Sequence, residues 1–248
     1  MAQMDFSAIN KGRIFASRYG DKSQSHEFGN CSELSLQINE DKKTLMDYTT
    51  GGGGLRNSLS RVNEITLTIG ARDFIKENIA LACNADVSSY VSATITDEVL
   101  ADAHAGALLK TSKLVDMTQA YTLKSNDALT TYTEGVDFEM TNAGPVIIAG
   151  TTIPAGEDVK FSFKSLAASV IEALTHSPYD WTLTFTGINE AQQGKAVVLE
   201  CFKVRFSPGS MAFIGDDFDT LTLTATLLSD SLRTGTGLSK FFAITQQP

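Results

Sequence analysis

No apolar run in this chain approaches the ~18–20 residues that a membrane span needs, so no membrane insertion is expected. Cysteine is scarce: Cys31, Cys83 and Cys201 are odd in number and far apart, which suits neither a disulfide framework nor a metal site. They read as small buried hydrophobes. Histidine is equally thin, and none of His26, His104 and His176 has another ligand type at zinc spacing. There is no G-x-S-x-G elbow, no H-E-x-x-H, no Walker loop and no dinucleotide fingerprint. Catalysis is therefore not expected, and neither is a cofactor or a metal. Cationic charge is also short, with 20 Lys and Arg against 29 Asp and Glu and a net charge of −9 over 248 residues. Tight binding to nucleic acid needs clustered cations that release counterions from phosphates, and no such cluster is present. Any role beside DNA is one in which DNA does not adhere. The opening residues, MAQMDFSAINKGRIFASRYG, lack the basic start, apolar stretch and cleavage site of a secretory leader. Synthesis and folding in the cytoplasm are expected.

What the chain does have is strand periodicity. Leu34, Leu36 and Ile38 alternate with Glu33, Ser35, Gln37 and Asn39, and Ile65, Leu67 and Ile69 alternate with Glu64, Thr66 and Thr68. Trp181, Leu183 and Phe185 alternate with Thr182, Thr184 and Thr186. Leu221, Leu223, Ala225 and Leu227 alternate with Thr220, Thr222, Thr224 and Thr226. Period-2 patterning means antiparallel strands with one face on the core and the other in water. Threonine favours strands anyway, but four such strands point to one shared surface, hydrophilic, smooth and free of Lys and Arg. The strand around Val197–Phe206 carries Lys203 and Arg205 and is expected to face elsewhere. Trp181 falls on the apolar side of its strand, as a core residue and not as a sugar-stacking platform.

One helix is expected in ARDFIKENIALAC, with Ile75, Ile79 and Cys83 at i, i+4 and i+8 and Asp73 in the first turn. Leu166, Val170, Ile171 and Leu174 suggest a second, shorter one ended by Pro178. The connection between Asn39 and Arg61 is too long for a tight hairpin and reads as a long loop containing Asp47, Tyr48 and the run Gly51, Gly52, Gly53, Gly54. That run lacks the Lys-Ser/Thr ending of a phosphate cradle and reads as a flexible tip. Residues 97–164 read as further β structure, with turns at Asn142-Ala-Gly144 and Pro154-Ala-Gly156. Asp216, Asp217 and Asp219 lack the acidic ladder of a calcium loop and read as a solvated turn. The sequon Asn30-Cys31-Ser32 has no meaning without a secretory leader. After Asp230 the chain is polar until Phe241, Phe242 and Ile244, which suit either pairing with a sheet edge on another copy or folding back.

The block GNCSELSLQINEDKKTLMDYTTGGGGLRNSLSRVNEITLTIGARDFIKENIALAC resembles the N-terminal half of bacteriophage major tail proteins, the tail-tube subunits of long-tailed phages. Strand, glycine-containing loop, strand and a D-F-x-x-x-N-x-A helix, here Asp73, Phe74, Asn78 and Ala80, follow in that order. The C-terminal block resembles the same family through Phe185-x-Gly187-x-Asn189, Val204-Arg205-Phe206-Ser207-Pro208, Asp217-Phe218 and a closing strand to Asp230.

The resemblance implies a mainly β chain: an antiparallel β-sandwich or barrel with one flanking α-helix, a long loop and terminal arms. It implies one tail-tube domain over residues 1–248. Within it lie an N-terminal arm (1–28), strand-loop-strand-helix (29–95), an additional β segment (96–165), C-terminal strands (166–230) and a C-terminal arm (231–248). It implies hexameric rings that stack into a tube in the virion, with tape-measure and terminator proteins as partners and DNA passing through the lumen without specific binding. Glu64, Thr66, Thr68, Thr182, Thr184, Thr186, Thr222, Thr224 and Thr226 are the candidate lumen residues. Asp47, Tyr48 and Gly51 to Gly54 are candidates for the contact between rings, and Phe241, Phe242 and Ile244 for an arm contact. A carbohydrate-binding β-sandwich of a virion or cell surface is the alternative.

Overall fold

The computed structural model describes residues 7–49 and 51–248. It is mainly β, with antiparallel sheets and a single α-helix. In chain order the first strands are β1 (Asn10–Arg18), β2 (Asp21–Glu27), β3 (Cys31–Met46) and β4 (Leu55–Ala71), followed by helix α1 (Lys76–Cys83) and β5 (Asp86–Tyr90). Next come β6 (Thr94–Ala103), β7 (Thr122–Ser125), β8 (Thr131–Tyr132), β9 (Phe138–Thr141), β10 (Gly144–Ile147) and β11 (Glu157–Lys164). The last are β12 (Ala168–Glu172), β13 (Asp180–Asn189), β14 (Lys195–Ser210), β15 (Leu221–Leu227) and β16 (Phe242–Gln246).

The chain forms two compact units, where one domain was expected: the first runs to Val87 and resumes at Ile171, and the second is Ser88–Val170. Each has its own core, which is why they separate. In the second unit the sheet order is β6-β11-β7-β8, beside a β9-β10 hairpin. Val159, Phe161 and Phe163 are buried on alternate positions of β11, against Leu100, Leu123 and Ile147. Its buried carboxylate, Asp137, accepts bonds from the Thr133 and Thr152 amides, both 2.9 Å. Burial acts to raise its pKa, but those bonds win and hold it below the ordinary range.

The first unit is built on one large sheet in the order β2-β1-β13-β14-β15-β4-β3. β14 is long enough for β15 and β16 to share one of its edges, at Val204–Ser210 and Val197–Cys201 respectively. Leu67, Ile69, Leu183, Leu221 and Leu223 are fully buried, as the alternation requires. This sheet curls. Its edge strands β2 and β3 are separated by only Phe28–Asn30, a reach of at most ~14 Å from Glu27 to Cys31, whereas seven flat strands would span ~29 Å. The crossover passes under the core, with Phe28 wholly buried and its ring 6.1 Å from that of Phe206.

The D-F-x-x-x-N motif holds that crossover. Asn78, wholly buried, donates to the carbonyls of Phe28 and Asp73, both at 2.9 Å, and Asp73 accepts from the Asn30 amide at 2.8 Å. Gly29 has φ +76, and a Cβ there would lie 2.2 Å from the Asp73 carboxylate. Asn78→Ala is expected to cost about 1–3 kcal/mol by stranding a buried carbonyl. The check is a lower urea midpoint at unchanged slope.

Several sequence expectations are corrected. The helix begins at Lys76, so Asp73 precedes it, and its buried residues are Asn78, Leu81 and Ala82; Ile79 and Cys83 are only part-buried. The second helix is absent: β-branched Val170 and Ile171 lie in strand β12, paired with β5, and Leu174 has φ +59. Residues 10–27 are two strands of the main sheet and not an arm, because Ile14 and Ala16 alternate into the core. Residues 1–6 of the expected arm lie outside the described residues. The long loop is in fact a long hairpin, β3 pairing with β4 as far as Met46↔Leu55.

Candidate assembly surfaces

The hydroxyl residues singled out from the sequence come together on one face of the main sheet, opposite the core. Strand register sets them in rows. Gln37, Thr66, Thr226, Arg205 and Asp180 follow one another across five strands. Ser35, Thr68, Thr224 and Ser207 form the next row. Thr182, Thr184 and Thr186 continue the face on β13, opposite Ser17, Phe15 and Arg13 of β1. Thr222 opposes Gly70 on β4, and Glu64 accepts a bond from the Thr226 hydroxyl at 3.0 Å.

Lys203 and Arg205 do not face elsewhere. A register shift in β14 between its pairings with Trp181 and Leu183 turns both toward Asp180. Arg205 reaches Asp180 Oδ1 at 2.7 Å and Lys203 reaches Oδ2 at 3.1 Å. Partial burial acts to raise the Asp180 pKa, but the bonds and charges of Arg205 and Lys203 outweigh it and hold the carboxyl below its ordinary value. The cations of β1 on this face are paired as well, Lys11 with Glu190 at 3.1 Å and Arg13 with Glu27. Among the described residues, the outward cations of β1 and β14, Lys11, Arg13, Lys203 and Arg205, each have a carboxylate partner, so this part of the face presents hydroxyls, carboxylates and neutralised cations; Arg18 and Lys195, which have no ion pair, are in phase with the core positions Ala16 and Val197.

The β3–β4 hairpin is the second surface. β15 covers β4 only from Thr66 to Ala71, so the rest of the ladder projects as a two-stranded ribbon. Its turn is closed by the Asp47 amide on the Gly54 carbonyl at 2.7 Å, and the Asp47 carboxylate caps Thr49 through its amide and hydroxyl. Gly52 and Gly53 take positive φ there. Tyr48 is 86% exposed, and Leu45, Met46, Leu55 and Leu59 are each more than two-fifths exposed. An isolated two-stranded ribbon is marginal in water, and this one carries apolar side chains with nothing against them.

The C-terminal residues fold back in the single chain. β16 pairs with β14, Phe242 opposite Cys201 and Ile244 opposite Leu199. Phe241 and Phe242 pack on the core, and Ile244 is more than half exposed.

A cleft of about 450 Å³ lies between α1 and the ends of β1 and β13, lined by Arg18, His26, Glu77, Tyr179 and Trp181. The Arg18 guanidinium sits 3.6 Å from the Tyr179 ring centroid and covers one face of that ring. Among the described residues, no group of three or more His, Cys, Asp or Glu is arranged to hold a metal ion. Cys201 is buried, and desolvation raises its thiol pKa to about 12.

What sequence reasoning missed is Asp180 as the shared partner of Lys203 and Arg205. The signal is a carboxylate just before a hydroxyl strand and two cations in the strand paired with it. A family model described as "Protein of unknown function UCP028589" matches residues 7–245. No curated protein matches the chain.

Proposed function

The chain belongs to that family, and for it we propose the role of a tail-tube subunit, a structural protein of the virion that polymerises as stacked hexameric rings around a DNA channel. The observation that carries the reading is the hydroxyl face, whose cations are each held by a carboxylate. A polyanion gains affinity by displacing counterions with free Lys and Arg, and the outward cations of β1 and β14 on this face are all paired. A curled sheet with a smooth, neutral-to-acidic outer face suits the wall of a bore.

Two further features support the reading. Among the described residues, the edge strands β2 and β3 end the main sheet without a further neighbour, and joining such edges around a ring removes an aggregation liability. The apolar hairpin needs a partner surface, which a stacked ring supplies. The ring number of six and the tape-measure and terminator partners come from the resemblance in the sequence. The carbohydrate reading is weakened by Arg18, which covers the Tyr179 ring.

Sedimentation velocity of the purified chain at rising concentration tests the proposal. Rings or longer polymers growing with concentration are expected. A monomer that persists at high concentration, and in the presence of the other tail proteins, overturns it.

A further inference from the structure

The projecting hairpin calls for a receptor, and the first unit carries a matching surface at its opposite end. The connection between β14 and β15, residues 211–220, exposes Phe213 by 89%, Ile214 by 96% and Phe218 by 95%. Between and beside them lie Asp216, Asp217 and Asp219. The loop is tied to the end of β4 by Arg72, which donates to the Phe218 carbonyl at 2.7 Å. Side chains this large and this exposed, three within six residues, mark a contact surface and not a solvated turn.

The hairpin has the complementary chemistry. Around Leu45, Tyr48, Leu55 and Leu59 it carries Lys42, Lys43, Arg56 and Arg61. None of these cations is in an ion pair among the described residues. Glu40, Asp41, Asp47 and Glu64 equal them in number, with Asp41 opposite Arg61 in the ladder, so residues 39–64 are neutral in a chain of net charge −9 and their four cations are available to a partner. The two surfaces cannot meet within one copy. The hairpin turn precedes Leu55, the loop adjoins Ala71, and β4 runs between them for about 53 Å at ~3.3 Å per residue. Two different complementary patches at opposite ends of one subunit give a head-to-tail contact, the kind that propagates as an open polymer.

We infer that the β3–β4 hairpin of one copy docks on the 211–220 loop of the next, apolar side chains against Phe213, Ile214 and Phe218, with the hairpin cations on Asp216, Asp217 and Asp219. The inference rests on the self-assembly reading and names the two halves of its contact between rings.

Charge exchange tests it. Asp216→Lys, Asp217→Lys and Asp219→Lys together raise the concentration needed for polymer more than tenfold. Lys42→Glu, Lys43→Glu, Arg56→Glu and Arg61→Glu together do the same. Each variant keeps the monomer's thermal transition, because the substituted side chains are exposed, Asp219 alone being half-buried. Mixing the two variants, or combining both sets in one chain, restores polymer. Wild-type polymer together with undiminished assembly of either variant overturns the contact and leaves the tube reading standing. Failure of the combined set to restore polymer also overturns it. A loop that binds lipid vesicles while its variant assembles normally assigns the apolar trio to a membrane and overturns it too. A wild-type chain that never assembles removes both.

Discussion

Asp180→Ala is expected to yield subunits that still assemble but hold DNA where the wild type lets it pass. Asp180 is the shared partner of Lys203 and Arg205, whose side chains are 26% and 50% exposed. Without it each subunit places two unpaired cations beside Thr226, and rings multiply them around the bore. Retention of double-stranded DNA should then appear at low salt and fall steeply as salt rises, since each new phosphate contact adds about one unit to the salt slope. Stability falls too, by about 1–3 kcal/mol, because part-buried charges lose their partner. Asp180→Glu keeps the charge and should restore passage. DNA retention equal to wild type at every salt concentration would contradict this account of the face.

The same group sets a pH dependence. Its pKa in the folded protein lies below the ordinary value, so it stabilises the fold above the unfolded pKa of about 3.9. That contribution is lost as pH falls through the lower, folded value. Between pH 7 and 5 neither stability nor DNA retention should change on its account. In more acid solution Asp180 protonates, Lys203 and Arg205 are released, and retention should rise.

The second large effect concerns the hairpin. Residues 39–64 can be replaced by Asn-Gly, because Ile38 and Ile65 are direct partners in the ladder and a two-residue turn joins such a pair. The shortened chain keeps Leu36, Leu67 and Ile69 and therefore its core. Its thermal transition should stay within a few degrees of wild type while polymer disappears from sedimentation profiles. Polymer of normal length from this variant would remove the hairpin from assembly. Collapse of the fold would show instead that the ribbon supports the sheet, contrary to its exposure.

The sequence made the hydroxyl face visible because period 2 survives wherever one side of a strand meets the core. Thr66, Thr68, Thr224 and Thr226 were readable for that reason. The hairpin was not, because beyond Ile38 the strands have no core side, and residues such as Lys42, Lys43 and Ser58 alternate with no apolar partner set. β1 was obscured by Phe15, which faces outward between the buried Ile14 and Ala16. The helix face was misplaced because its most buried member is Asn78, a polar residue held for its hydrogen bonds, which hydrophobic periodicity passes over. Lys203 and Arg205 were misread because their orientation depends on a register shift and on a carboxylate more than twenty residues away. The separate core of Ser88–Val170 rests on contacts between distant residues, such as Leu100 with Phe161, that no local pattern records.

Electron microscopy of the assembled chain, at a resolution that traces strands, tests the central claim most directly. The account predicts a hollow tube with Thr66, Thr68, Thr224 and Thr226 on the wall of the bore. A polymer whose hydroxyl face points outward, or a solid fibre with no bore, would contradict it.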